Sequence, residues 1–145
     1  MNINHAVSAH FTYKEMACRC CGSYSINPKL LLSLEWFRTL VSSHRSTDTP
    51  LIINSAYRCP QHNAAVGGSK NSQHMLGNAA DVRIPTGLSP RLVVEFLERI
   101  PYVGGIGLYS NFVHIDIRPR MVNGTREMWS VGASGKMEPI EKAYT

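Results

Sequence analysis

The chain has 145 residues, 43% of them hydrophobic and 17% charged, a balance that suits one folded domain with a real core and excludes a disordered chain. No stretch approaches the roughly 20 consecutive apolar residues that a membrane span requires. The net charge of +5 arises from fifteen Lys and Arg against ten Asp and Glu, but these basic residues stand singly and without interleaved aromatics. A solvated basic surface accounts for them better than a nucleic-acid platform does.

The opening residues, MNINHAVSAHFTYKEMAC, lack a basic cap and a long apolar run, so no secretory signal is expected. Within them HFTYKEM reads as a helix start: Thr12 caps, Glu15 completes a capping box, and Phe11 staples onto Met16. CRCCG then ends that helix and places Cys18, Cys20 and Cys21 together, with Cys59 far along the chain. Three states stay open for these cysteines: buried free thiols, thiolates of a structural zinc, or a disulfide. A tetrahedral zinc set would need Cys59 or a histidine from elsewhere.

NPKLLLSLEWFRTLVSSH is the clearest helix, with Asn27 capping, Pro28 in the first turn, and Leu30, Leu34, Phe37 and Val41 in one apolar stripe. STDTP breaks it. PLIINSAYR reads as a strand and CPQHNAAVGG as a short helix or turn closed by two glycines. AADVRIP is a further strand, and SPRLVVEFLERI a second amphipathic helix capped by Ser89. GGIGLYS and FVHIDIRP are close enough to form an antiparallel hairpin. REMWSV is predicted as the last strand, and the tail from Gly132 as loosely ordered. Together these predict one α+β domain over residues 1–145, with its core in 11–132 and loosely ordered ends. Its helices would pack as a layer on a mostly antiparallel sheet.

Strand alternation in FVHIDIR puts Phe112, His114, Asp116 and Arg118 on one face, and Val113, Ile115 and Ile117 on the core face. His74 and Asp81 lie upstream in SQHMLGNAADV, where Gly77 lets the backbone turn sharply and Ala79 and Ala80 permit close packing. His74, Asp81 and His114 therefore offer two imidazole nitrogens and one carboxylate, a set that zinc accepts while keeping a fourth position open.

The segments SAYRCPQHN, SQHMLGNAADV and GGIGLYSNFVHIDIRP closely resemble the zinc D-alanyl-D-alanine carboxypeptidase family, in the compact form common in phage and prophage genes. The carrying pattern is Ser72-x-His74-x-x-Gly77-x-Ala79-x-Asp81 followed by His114, within a likeness that runs from about Phe11 to Trp129. The resemblance implies the fold shared with the hedgehog signalling domain and a Zn2+ held by His74, Asp81 and His114. It further implies that Arg58 grips a substrate carboxylate, a role suited to a planar and permanently charged guanidinium, with Ser72 beside it in the substrate site.

Many relatives carry Glu or Asp three residues before the last histidine ligand, as general base. Here that position is Asn111, which cannot take a proton from water. Asp116 is the nearest substitute, either as catalytic base or as a partner that orients a ligand imidazole. The function expected is a zinc metallopeptidase that hydrolyses an amide in peptidoglycan stem peptides, as a D-Ala-D-Ala carboxypeptidase or an endolysin-type endopeptidase. It would be made in the cytoplasm and reach the wall after release, through a holin pore if phage-encoded. The rival class is a non-catalytic zinc module that binds the cell wall or a protein. The bond cleaved and the oligomeric state are not legible.

Overall fold

Each helix begins where the sequence supplies a capping side chain. In the computed structural model, which describes residues 4–144, Thr12 and Glu15 form the capping box of α1 (Tyr13–Met16). Asn27 accepts from the Lys29 N–H at the head of α2 (Pro28–Arg45). The Cys59 sulfur accepts from the His62 N–H at α3 (Pro60–Ala65), and Ser89 accepts from the Leu92 N–H at α4 (Pro90–Glu98). Proline stands in the first turn of the last three, where its missing N–H is no loss.

Six strands form one sheet: β1 (Ile53–Ser55), β2 (Ala79–Arg83), β3 (Gly105–Leu108), β4 (Phe112–Asp116), β5 (Glu127–Val131) and β6 (Met137–Glu138). Their spatial order is β1-β2-β4-β3-β5-β6. The β1/β2, β2/β4, β3/β4 and β5/β6 pairs are antiparallel, and β3/β5 is parallel. β3 and β4 are the expected hairpin. After β4 the chain crosses to the far side of β3, where the Glu127 N–H donates to the Gly104 carbonyl and Arg126 donates to the carbonyls of Ile100 and Val103.

Two expectations need correction. β5 is not the last strand, and the stretch after Gly132 carries a strand and a 3-10 turn. Ser130 and Val131 pair with Glu138 and Met137 of β6, and a short turn of 3-10 helix at Ile140–Tyr144 buries Ile140 against the core. The edge of β5, the Ser130 hydroxyl on the Pro139 carbonyl, and Ile140, Ala143 and Tyr144 against the core hold a segment whose composition reads as polar.

One face of the sheet is apolar. Val82, Ile106, Val113 and Ile115 pack with Leu30, Leu34, Phe37 and Val41 of α2 and with Val93 and Leu97 of α4. Phe37 is fully buried there, so truncating it to alanine should remove about 3–5 kcal/mol of stability. The alternating residues Asp81, His114 and Asp116 leave on the opposite face. No helix among the described residues is long and apolar enough to cross a membrane.

Candidate metal centre and its pocket

The β2/β4 register sets Asp81 directly opposite His114. His74 arrives from the preceding loop, on a 3-10 turn (Gln73–Leu76) that Ser72 caps through its hydroxyl. Gly77 closes this turn with φ +73°, and a Cβ there would overlap the Ser25 carbonyl. Only glycine satisfies both demands.

Three donor atoms converge. His74 Nε2 lies 3.2 Å from Asp81 Oδ1, and His114 Nδ1 lies 3.1 Å from the same oxygen. The outer nitrogens decide the tautomers. His74 Nδ1 is 2.7 Å from the Ala56 carbonyl, which can only accept, so Nδ1 carries the proton. His114 Nε2 is 2.7 Å from Asp116 Oδ2, the shorter of its two carboxylate contacts, and it donates there. Both inner nitrogens then present lone pairs toward a carboxylate oxygen, an arrangement that is repulsive unless a cation sits between them. A tetrahedral ion with bonds of ~2.0–2.1 Å sets its ligands roughly 3.3 Å apart, close to the 3.2 and 3.1 Å that separate Asp81 Oδ1 from the two nitrogens. The donor set suits zinc.

The electrostatics agree. Burial alone would raise the Asp81 pKa, but when protons rather than a cation occupy the inner nitrogens, hydrogen bonds from His114 and His74 outweigh it and hold the carboxyl well below its usual range. Burial alone would lower the His114 pKa, yet Asp116 and Asp81 raise it. The cluster favours a positive charge among its donors, and a metal cation can stand there in place of a proton.

Behind His114, Asp116 is wholly inaccessible. Its Oδ1 accepts from the Arg118 backbone N–H at 3.1 Å and from Nε at 2.8 Å, and Oδ2 accepts from Arg118 Nη2 at 2.6 Å as well as from His114. Burial would raise its pKa, but His114 and Arg118 hold it at about 2. Asp116 is thus held between His114 and Arg118 with no exposed surface, a setting that suits one of its two expected roles, the partner that orients a ligand imidazole. β3 makes room for this packing with two glycines. A Cβ on Gly105 would press on the Asp116 carboxylate, and one on Gly107 on the Trp129 indole.

The donors open onto a pocket of about 500 Å³. Arg58 lines it but is held by the protein: Nη2 donates to Asp81 Oδ2 at 3.1 Å, Nε to Ser55 and Nη1 to Asn63. Ser72 also lines it. Asn111 does not; it sits in the β3–β4 turn, where its carbonyl accepts from the Ile84 N–H. Another part of the lining lies outside the predicted site residues. Tyr109, Glu127 and Trp129 form it, with Trp129 5.3 Å from the His114 ring and under the Arg118 guanidinium. Glu127 and Trp129 are two apart on β5, hence on one face, and that alternation was readable in REMWSV. What hid it was the parallel pairing with β3.

A sequence model of the Peptidase M15 family matches residues 9–116, about three quarters of the chain and all three donors. The chain belongs to the peptidase M15 family. It is also 34% identical over 80 residues to a zinc D-Ala-D-Ala carboxypeptidase from Streptomyces albus G, an alignment that covers 50% of this chain and 31% of that protein. The chain thus aligns with about a third of that curated relative's length.

Proposed function

We propose that this chain is a zinc-dependent peptidase that hydrolyses an amide bond in the peptide stems of peptidoglycan, as a D-Ala-D-Ala carboxypeptidase or an endolysin-type endopeptidase. In this reading residues 1–145 act as one domain with the layering of the hedgehog/DD-peptidase fold. The observation that carries the proposal is the convergence of two imidazole lone pairs on Asp81 Oδ1, facing an open pocket. The relative's name supplies the substrate class.

When bound, zinc would polarise the scissile carbonyl and make water more acidic. The chain's own residues do the rest. The Ala56 carbonyl fixes His74, and Asp116 fixes His114 and makes its imidazole a stronger donor. Arg58 steadies Asp81 and keeps two of its five N–H groups for a substrate carboxylate. Apart from Asp81, Glu127 is the carboxylate on the pocket wall, half exposed and held by Arg118 at 2.6 Å. It takes the role of proton acceptor that Asn111 cannot fill. Tyr109 and Trp129 hold the stem by its apolar groups.

The test is digestion of purified peptidoglycan with and without a chelator, read by fragment mass. New amine and carboxyl termini should appear only with metal present. Released D-Ala marks the carboxypeptidase, and cut stems or cross-links mark the endopeptidase. Intact stems after incubation with fully metallated protein would overturn the proposal in favour of a binding module.

A further inference from the structure

Cys18, Cys20, Cys21 and Cys59 stand apart from the pocket, and their sulfurs all lie within 4.8 Å of one another. All four are free thiols. Cys20 Sγ lies 3.6 Å from Cys18 Sγ and 3.4 Å from Cys59 Sγ, so one sulfur contacts two others at once. A single disulfide cannot satisfy that arrangement, whereas a tetrahedral zinc with bonds of ~2.3 Å places its sulfurs roughly 3.8 Å apart.

The backbone is also arranged for thiolates. The Cys59 N–H donates to Cys18 Sγ and the His62 N–H to Cys59 Sγ, both at 3.4 Å. The Cys18 N–H donates to the Ser23 carbonyl, and the Gly22 N–H returns to the Cys18 carbonyl. This tight loop holds three cysteines on one side, as a knuckle does. Cys18 and Cys59 are buried while Cys20 and Cys21 are exposed, so an ion can enter from solvent before the shell closes.

We propose that Cys18, Cys20, Cys21 and Cys59 bind a structural zinc ion, a second metal site separate from the His74–Asp81–His114 centre. Binding displaces the thiol protons to solvent and leaves no position for water, so the site holds structure and performs no hydrolysis. It clips the loop after α1 to the first residue before α3. That clip bears on the pocket through one short segment. Within Ala56–Cys59, the Ala56 carbonyl holds His74, Arg58 holds Asp81, and Cys59 belongs to the thiol cluster.

The proposal is tested on the full chain, purified under reducing conditions without added metal. Wild type should hold about two zinc ions per chain, His114→Ala one, and Cys20→Ser/Cys21→Ser one. Replacement by Co2+ should give intense thiolate-to-cobalt charge-transfer absorption that survives His114→Ala and vanishes in the cysteine variant. If the cysteine variant fails to fold, the His114→Ala spectrum alone decides. A His114→Ala protein with neither zinc nor that absorption would overturn the site. So would native thiols that react with a thiol reagent at the same rate with and without chelator. Neither result touches the peptidase proposal, which rests on the other cluster.

Discussion

Among the described residues two clusters have metal-ligand spacing, and they are built in opposite ways. The donors of the first come from paired strands and one capped turn, each outer nitrogen is fixed by a protein acceptor, and one side faces a pocket. The second is carried by a tight surface loop and the residue before α3, and its four sulfurs would fill every position of a tetrahedral ion. Three donors with an open position suit chemistry, and four closed donors suit anchorage. Element and ligand count, more than the mere presence of donors, separate a reaction centre from a clip.

The sharpest way to break this contrast is to remove one donor of the first cluster. His74→Ala or His114→Ala should abolish peptidase activity and release one metal ion, with the melting temperature little changed. Metal analysis beside turnover and thermal unfolding checks it, and persistent activity in both variants would dissolve the distinction. Glu127→Gln should come next, with turnover falling about 10²–10⁴-fold, the usual cost of a lost general base, and zinc content unchanged. Unchanged turnover would move the proton acceptor elsewhere.

Asp116→Asn should act on the metal rather than the proton. We expect zinc affinity to fall about 10–100-fold, with turnover per bound metal intact, as for loss of an outer partner of a histidine ligand. A competition titration against a chelator of known affinity measures it. A collapse in turnover at full zinc occupancy would restore Asp116 as the base. Arg58→Lys should have the smallest effect. It keeps the charge but loses the planar fork, and one weakened charge-assisted hydrogen bond of roughly 1.5 kcal/mol corresponds to about a tenfold drop in kcat/KM. A large loss of melting temperature instead would make Arg58 mainly structural.

Local features were legible in the sequence because their physics is local. Thr12, Asn27 and Ser89 cap helices as read, and the alternation in FVHIDIR placed His114 and Asp116 on one face. Features that depend on distant partners were not. Nothing in REMWSV shows that it pairs in parallel with GGIGLYS, so the wall formed by Glu127 and Trp129 went unread. Asp116 was placed on the correct face, but its burial under Arg118 depends on how the chain bends after β4. Likewise Cys21, the last cysteine of CRCCG, and Cys59 are 38 positions apart, and only the fold brings their sulfurs together.

The family match ends at Asp116, whereas Arg118, Glu127, Trp129 and Met137 of the pocket lie beyond it. The three donors thus lie inside the matched stretch, while most of the wall beside them, Tyr109 excepted, lies after it. Any exchange of the 3′ portion of the gene must therefore keep Arg118, which locks Asp116 behind the donor His114. For an engineer, residues 119–145 are the stretch to vary when changing the lining of this pocket, with Arg118 kept. The Gly105 and Gly107 positions on β3 are the seam that any transplanted strand must respect.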